Sequence, residues 1–332
     1  MKKKLLITGA TGFLGFRLVD FLQEQYEIIG TGRNKEIGQL IQNKKIHFLS
    51  INLEHQEEVE SGLKNLHVDC VIHLAAKSSL WGNYDDFHKA NVIGTKNILN
   101  YVIKNKIKRF IYISTPSVYD LTKKSTNLNE TDLLYTTHFP NNYVKTKIMA
   151  EQLVLSANVS NTIILRPRGI FGPGDTSILP RLIRSNQRFG IPFINSAQNL
   201  VDLTYVDNVC EAIRLSIEAN TTASGNIYNV TNGNPIEFFR LLNWLEKYLE
   251  IKIKRRKIPL FVLKSAAYLL TNFSKKEPVL TSYSTDLITK SITFDIRKIK
   301  RELGYEPLIN IENGLEKTIK YYTEEHDFTG AK

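Results

Sequence analysis

The sequence predicts an α/β protein built on a doubly wound parallel sheet, with a smaller C-terminal lobe. In the first half of the chain, short apolar runs alternate with stretches of helical periodicity, the order expected of strands joined by right-handed crossovers. The strand runs are apolar almost throughout, as in a sheet covered by helices on both faces. This alternation ends near residue 167, which predicts a change of architecture at that point.

The individual elements follow from length and periodicity. Runs of apolar and β-branched residues predict strands at 4–8, 27–31, 46–50, 69–75, 109–114 and 162–166. Apolar residues spaced three and four apart predict helices at 13–25, 54–65, 85–105 and 143–157.

The second part of the chain follows the loop Gly172-Pro173-Gly174-Asp175. It combines helical patterns with short strands predicted at 201–204 and 226–230. We predict a first domain over 1–167 and a smaller lobe over 168–332. Part of the region around 201–230, with a helix over 207–219, is expected to return to the first domain.

Composition narrows the class of protein. The 332 residues include 44 Lys and Arg against 33 Asp and Glu, a net charge of +11, which we interpret as a solvated basic surface. No nucleic-acid-binding motif accompanies these cations, and we predict no such partner. The two cysteines, Cys70 and Cys210, lie in apolar runs and are expected to be buried free thiols. With no apolar run near ~20 residues, these features predict a cytoplasmic protein.

The histidines do not pair at metal-ligand spacing, so we predict no metal. His73 falls inside a predicted strand and is expected to be a core histidine with satisfied hydrogen bonds. His138 lies in the loop before Tyr143, and a position facing a substrate is the less favoured interpretation of it.

A glycine-rich turn joins the first strand to the first helix and reads Thr8-Gly9-Ala10-Thr11-Gly12-Phe13-Leu14-Gly15. Gly9 permits the tight turn, Gly12 lets the main chain approach a pyrophosphate, and Gly15 allows the helix to pack closely on the strand. The free N–H groups of the helix N-terminus favour phosphate. The context of strand, turn and helix therefore predicts a Rossmann-type dinucleotide site.

The end of the second strand indicates which dinucleotide is bound. NAD sites usually place an acid there against the ribose 2′-hydroxyl. The segment 30–35 instead reads GTGRNK, and Arg33 is suited to a 2′-phosphate. We predict NADP, with NAD as the less favoured alternative.

Tyr143 and Lys147 are four residues apart in a predicted helix, which places a phenol and an ammonium on the same helical face. The helix follows the fifth strand, at the sheet edge where ligands of such folds bind. A nearby ammonium stabilises phenolate, so Lys147 is expected to lower the pKa of Tyr143 for proton transfer.

Hydroxyl groups at the end of the fifth strand complete the predicted site. Thr115 is the first choice for a donor to a substrate oxygen and Ser117 the second. The alternative is that Thr115 serves only as a turn or cap hydroxyl.

Several motifs together resemble the extended short-chain dehydrogenase/reductases. They are TGATGFLG at 8–15, HLAA at 73–76, KANVIGTKNIL at 89–99, ISTPSVY at 113–119, YVKTK at 143–147, LRPRGIFGPGD at 165–175, LVDLTYVDNV at 200–209 and ELGYEP at 302–307. Trp81 and the segment 84–87 before Asn91 make the 3-beta-hydroxysteroid dehydrogenase-like branch the nearest within this family.

The resemblance implies a Rossmann domain, a mainly substrate-binding lobe and a role for each matching residue. Tyr143 would act as general acid and base, Lys147 would hold the nicotinamide ribose, and Thr115 would stand where the family has Ser or Thr. Asn91 would support the active site. The remaining implied cofactor contacts are Asn52, Leu53, Ala75, Ala76, Lys77, Pro167 and Ile170.

Two positions depart from the family pattern. Asn52 stands where an Asp is frequent, which weakens it as an adenine contact. Pro167-Arg168-Gly169 replaces the Asn that nucleotide-sugar epimerases carry after the sixth strand. The resemblance therefore favours an oxidoreductase that interconverts a ketone and a secondary alcohol on a largely apolar small molecule, steroid-like or with an acyl chain. The alternatives are a nucleotide-sugar epimerase, dehydratase or reductase, and a non-catalytic NADP-binding regulator.

The segment 258–273, IPLFVLKSAAYLLTNF, is the least typical part. An ordinary core helix is the first interpretation. A helix that covers an apolar substrate, or one in peripheral contact with a membrane beside the basic segment 252–257, are the alternatives. By analogy with the family, helices 85–105 and 143–157 indicate a homodimer interface.

Overall fold

A seven-stranded parallel sheet forms the centre of the protein. The structure is a computed structural model that describes residues 2–44, 46–220, 223, 225–274, 277–278 and 280–324. The strands, in chain order, are β1 (Lys4–Thr8), β2 (Glu27–Gly32), β3 (His47–Ser50), β4 (Cys70–His73), β5 (Arg109–Ile113), β6 (Thr162–Pro167), β7 (Ile170–Phe171), β8 (Ile191–Pro192), β9 (Leu200–Val201), β10 (Thr204–Tyr205), β11 (Asn226–Val230), β12 (Ile236–Glu237) and β13 (Arg255–Arg256). The central sheet has the order β11-β6-β5-β4-β1-β2-β3.

Helices cover both faces of this sheet and build the C-terminal lobe. They are α1 (Phe13–Leu22), α2 (Lys35–Asn43), α3 (Gln56–Gly62), α4 (Tyr84–Phe87), α5 (Gly94–Lys104), α6 (Asn142–Ser156), α7 (Ile178–Arg188), α8 (Val206–Glu218), α9 (Phe238–Leu249), α10 (Leu260–Phe273), α11 (Ser282–Thr289), α12 (Arg297–Leu303) and α13 (Ile311–Glu324). A π-helical segment, His88–Ile93, joins α4 to α5.

Alternate residues of the strands bury into two separate cores. Leu5 and Ile7 face the core that also contains apolar residues of α1 and α8. Leu6 and Tyr112 face the other core, which is completed by α3, α5 and α6. This alternation places every second strand residue against the α6 side of the sheet.

The C-terminal lobe has an apolar core of its own. It is formed by α7, α9 and α13 with several of the short strands. Phe13 and Leu14, at the start of α1, pack against this core from the first domain. The glycine turn therefore lies next to the lobe.

The predicted fold class is confirmed. The six strands predicted in the first half are present, and their ends differ by at most two residues. The run predicted at 226–230 is β11, which extends the main sheet beside β6, and α8 packs on α1 and β5.

Three local predictions were wrong or incomplete. The helix predicted over 85–105 is interrupted by the π-helical segment, which adds a residue to one turn. The strand predicted at 201–204 is two short strands, β9 and β10, in different small sheets. Helix α2 was not predicted: its apolar residues Ile37, Leu40 and Ile41 have helical spacing, but the helix has only 9 residues and most of the others are polar.

Candidate active site

A cavity of about 370 Å³ lies at the carboxyl ends of β1, β2 and β4. Eight of the residues predicted to bind cofactor line it, namely Gly9, Thr11, Gly12, Arg33, Asn52, Leu53, Ala75 and Ala76. Thr31, Gly32, Asn34, Ile51, Glu54, Leu74 and Ala90, which were not predicted, also line it. The predicted residues Phe13, Leu14, Gly15, Lys77, Asn91, Tyr143, Lys147, Pro167 and Ile170 lie outside it.

The glycine turn leaves no room for side chains at its closest approaches. Gly9 has φ of +70°, and a Cβ there would meet the Ala75 nitrogen at 2.8 Å. A Cβ on Gly15 would lie 2.1 Å from the Gly9 carbonyl oxygen. Gly12 caps the N-terminus of α1 through its main chain alone. This turn and the free N–H groups of α1 fit the pyrophosphate of a dinucleotide.

Arg33 lies at the rim of the cavity and pairs with an acid that the sequence analysis did not associate with it. Its Nη1 donates to Glu54 Oε1 at 2.8 Å, and 65% of its side chain is exposed. Glu54 follows β3. Although no acid stands at the end of β2, Glu54 therefore supplies a carboxylate to this corner of the cavity. Asn52 accepts a hydrogen bond from the Glu54 N–H at 3.2 Å and orders this turn.

The predicted catalytic residues come together at the ends of β5 and α6. Tyr143 lies in the first turn of α6, where the Asn141 side chain caps the helix. The Thr115 side chain lies close enough to the Tyr143 phenol to lower the pKa of that phenol. Thr115 Oγ1 also accepts from the Ser117 N–H at 3.2 Å, so this hydroxyl both caps a turn and lies beside Tyr143. Ser117 is buried beside it.

Lys147 is directed differently from the sequence prediction. Its Nζ donates to Tyr112 Oη and to the Ile113 carbonyl oxygen, each at 2.7 Å, and lies 4.3 Å from the Tyr112 ring centroid. Burial lowers the pKa of Lys147 to about 7, opposed by the charge of Glu151.

The expected acidification of Tyr143 by Lys147 is therefore corrected. Burial of the phenol raises the pKa of Tyr143 to about 12, and the Thr115 side chain and the charge of Arg168 act in the opposite direction. The physical reason is that Lys147 faces Tyr112 and the β5 main chain, while the apolar cluster around the phenol disfavours its charged form.

A buried ion pair supports α6 behind Lys147. Glu151, one helical turn further along, pairs with Arg166 of β6 and accepts from Ser114 Oγ at 2.5 Å. Both ionised side chains are at most 2% exposed. The sequence analysis missed this pair, although Tyr143, Lys147 and Glu151 share a spacing of four residues on one helical face.

His73 and Asn91 anchor the loop between β4 and α4. His73 Nδ1 and Nε2 form hydrogen bonds with Thr8 Oγ1 at 2.6 Å and Thr95 Oγ1 at 3.0 Å. Burial lowers the pKa of His73 to about 3, which confirms a core histidine. Asn91 accepts from the Lys77 N–H at 2.7 Å and donates to Thr146 Oγ1 at 3.0 Å.

Other predicted residues have clear positions. Pro167 ends β6 and is buried, and Ile170 pairs with Thr204 in a short sheet. His138 is exposed. Cys70 and Cys210 are buried free thiols, as predicted.

An apolar cluster surrounds Tyr143. Its buried members are Val118, Tyr135, Val144, Ile148 and Tyr283, with Leu80, Leu134, Phe139 and Leu287 packed against them. Tyr283 and Leu287 belong to α11, so the C-terminal lobe covers Tyr143.

Helix α10 lies beside this cover and is not an ordinary core helix. Its buried side chains are Leu263 and Ala267. Its exposed large apolar residues are Leu260, Phe261, Val262, Tyr268, Leu269, Leu270 and Phe273. The Trp81 indole N–H donates to the Thr271 carbonyl oxygen at 3.2 Å, which ties α10 to the loop before α4. Within the described residues, no helix combines the length and apolarity needed to cross a bilayer.

The fold and the site together define an NAD(P)-dependent enzyme of the short-chain dehydrogenase/reductase type. The chain belongs to the NAD dependent epimerase/dehydratase family, whose family model matches residues 5–231. This confirms the extended branch of the short-chain dehydrogenase/reductases identified from the sequence motifs.

Two relatives and one solved structure are similar over most of the chain. A 2-alkyl-3-oxoalkanoate reductase of Stenotrophomonas maltophilia is 31% identical, and the match covers 94% of this chain and 97% of the reductase. A 3beta-hydroxysteroid-dehydrogenase/decarboxylase of Arabidopsis thaliana is 30% identical, and the match covers 96% of this chain and 79% of the relative. The structure of UDP-glucuronic acid 4-epimerase from Bacillus cereus in complex with NAD has a TM-score of 0.76 at 22% identity. The match covers 96% of this chain and 98% of the epimerase chain.

Proposed function

We propose that the protein interconverts a ketone and a secondary alcohol on a largely apolar, steroid-like or acyl-chain substrate, with NADP as cofactor. The observation that carries the proposal is that the Tyr143 phenol, in the apolar cluster beneath α11, lies beside the Thr115 hydroxyl. A carbonyl oxygen placed between two hydroxyl donors is polarised, while apolar walls suit a hydrocarbon skeleton.

The relatives support this substrate class. Their printed names describe a 3-oxoalkanoate and a 3beta-hydroxysteroid, each with a keto or hydroxyl group on a large apolar skeleton. The exposed apolar side chains of α10 beside the site agree with a substrate of the same character.

The chemistry divides between cofactor and protein. When bound, the nicotinamide supplies the hydride to the carbonyl carbon or accepts it from the alcohol carbon. In reduction Tyr143 Oη gives its proton to the carbonyl oxygen, and in oxidation it accepts the hydroxyl proton. Thr115 Oγ1 orients the same oxygen, and Lys147 would hold the nicotinamide ribose.

The site offers less to a nucleotide sugar. Pro167-Arg168-Gly169 occupies the stretch where the epimerases carry an Asn, and the neighbours of Tyr143 in the buried cluster are apolar or aromatic side chains. The paired donors of Tyr143 and Thr115 favour catalysis over a regulatory role. The homodimer and the peripheral membrane contact stay predictions from the sequence.

The assignment is tested with Tyr143→Phe. Loss of the donor is expected to lower kcat/KM by ~10²–10⁴-fold, because a positioned acid contributes about that much to a proton transfer. Ketones, 3-hydroxy acids, their esters and UDP-sugars are compared by the absorbance of the reduced cofactor. Tyr84→Phe, whose hydroxyl contacts Met149 Sδ at 3.6 Å, is the control and should keep its activity. Near-normal turnover by Tyr143→Phe, or turnover of UDP-sugars alone, contradicts the proposal.

A further inference from the structure

Arg168 lies at the edge of the sheet where the reacting group would bind. It follows β6, and its N–H donates to the Val230 carbonyl oxygen at 3.0 Å. The neighbouring β5 pairs with β6, and Ser114 N–H donates to the Leu165 carbonyl oxygen at 2.7 Å. Because parallel strands end at the same edge, Thr115 and Arg168 leave the sheet side by side.

The guanidinium of Arg168 is available for an anion. It lies 5.8 Å from the centroid of the Phe294 ring and is partly exposed. In the described part of the chain no carboxylate oxygen lies within 4.0 Å of it. Arg166, two residues earlier, is by contrast fully buried and paired with Glu151.

Among the described residues, no acid in direct contact neutralises the charge of Arg168. The charge of Arg168 acts to lower the pKa of Asp202, whose Oδ2 accepts from the Phe294 N–H at 3.0 Å. Burial raises the pKa of Asp202 to about 6, so its negative charge is itself disfavoured. The charge of Arg168 also reaches Tyr143, where it lowers the pKa of the phenol.

A second donor points to the same place. Tyr283 of α11 is 5% exposed, and its Oη is buried without a hydrogen-bond partner among the described residues. It packs in the apolar cluster that holds Tyr143. Buried hydroxyls are nearly always hydrogen-bonded, so the partner of this one is a water or a polar group of a ligand.

We propose that Arg168, assisted by Tyr283 Oη, binds a carboxylate that the substrate carries close to its reacting carbon. The inference rests on the proposed function and narrows it to 3-oxo and 3-hydroxy carboxylic acids with apolar chains. Tyr143 and Thr115 hold the oxygen on the reacting carbon, and Arg168 at the same sheet edge holds the acid group. A planar guanidinium matches a carboxylate in two parallel hydrogen bonds.

The test uses the stable alcohol, a 2-alkyl-3-hydroxyalkanoic acid, and its methyl ester, oxidised with NADP⁺. The wild type is expected to prefer the acid by at least ~10-fold in kcat/KM, since a charge-assisted bidentate contact differs from a neutral ester by about that factor. Arg168→Gln should lower kcat/KM for the acid by ~10–100-fold more than for the ester, mainly through KM, and the ester should show only the loss that comes from the charge of Arg168 at Tyr143.

Three further variants complete the series. Arg168→Lys keeps the charge without the planar fork and should recover part of the preference for the acid. Tyr283→Phe should reduce the preference by about 3–10-fold, as expected for one hydrogen bond to a charged group. Arg184→Gln, an exposed position on α7 with the same change of charge, is the control and should retain the full preference.

The outcomes separate the two proposals. Equal use of acid and ester by the wild type, or an equal loss for both in a folded Arg168→Gln variant, overturns the carboxylate site and leaves the ketone reductase standing. Thermal unfolding shows whether the variant is folded, and Arg168→Lys decides the case if it is not. Oxidation of neither alcohol, with turnover of UDP-sugars instead, overturns both.

Discussion

The two ends of the dinucleotide groove are built in different ways. At the adenosine end, the glycine turn and the ends of β2 and β3 form an open cavity from main chain and small side chains. At the nicotinamide end, the ends of β5 and β6 and the face of α6 bring buried charged and polar side chains together, among them Lys147, Glu151 and Arg166. The first end depends on shape and the second on electrostatics.

This difference predicts where a substitution should lower stability or activity most. A side chain exposed at the rim exchanges contacts with water and with its neighbours at little cost. A charge buried at the base of the site keeps its partner or destabilises the fold. The predicted effects therefore decrease from the nicotinamide end to the adenosine end.

The largest effect is expected for Glu151→Gln. The substitution keeps the size of the side chain and leaves the Arg166 guanidinium buried without its counter-charge. The free energy of unfolding should fall by ~3–5 kcal/mol, as when one partner of a buried pair is removed. Urea unfolding followed by circular dichroism measures the difference.

An exposed pair provides the comparison. Lys300 donates to Glu306 at 2.8 Å, and the Glu306 side chain is 73% exposed. Glu306→Gln should change the stability by less than about 1 kcal/mol. Similar losses in Glu151→Gln and Glu306→Gln would remove the distinction between buried and exposed charge on which the comparison depends.

The sequence predicted the shape-dependent end well. The turn 8–15 is a local motif whose glycines each have a separate geometric reason, and the strands β1 to β6 are continuous apolar runs. Such signals lie within a few neighbouring residues. Helix α2 and the π-helical segment escaped prediction because a mostly polar helix of 9 residues, and one added residue in a turn, give only short signals in the periodicity.

Contacts between distant residues were beyond the sequence. Arg33 and Glu54 are 21 residues apart, and Lys147 and Tyr112 are 35 apart. Tyr112 lies in an apolar strand, where its hydroxyl gives no signal of its own. Only the pairing of β4, β5 and β6 brings it beneath α6, so Lys147 was expected to face Tyr143 and instead faces Tyr112.

An intermediate effect is expected for Tyr112→Phe, which tests Tyr112 as a positioning residue. The variant removes the acceptor of the Lys147 ammonium and keeps the ring beneath it. The charged form of Lys147 then loses stabilisation, so its pKa falls below about 7. Since the proposed contact of Lys147 with the ribose needs the ammonium, the falling limb of kcat/KM against pH should move downward by about one unit, and activity at neutral pH should fall by ~10-fold.

Tyr101→Phe is the matched control. Its hydroxyl donates to the Leu66 carbonyl oxygen at 3.0 Å, away from the site, and its pH profile should equal that of the wild type. A uniform loss of rate in Tyr112→Phe, without movement of the limb, would indicate packing alone and would make the Lys147–Tyr112 contact incidental.

The smallest effect is expected at the exposed rim, from Arg33 and Glu54. Arg33→Ala should lower kcat/KM for NADPH by ~10-fold and leave NADH nearly unchanged, because a 2′-phosphate loses its charge-assisted contact. Glu54→Gln should raise the ratio of NADPH to NADH by ~2–3-fold, since it frees Arg33 from an ion pair of the kind that contributes at most ~1 kcal/mol at a surface. A change in stability would not lower the ratio of NADPH to NADH in Arg33→Ala and raise it in Glu54→Gln. Cofactor titrations monitored by fluorescence would measure binding apart from turnover. A strong preference for NADH that Arg33→Ala does not alter would show that Glu54, and not Arg33, sets the chemistry of this rim.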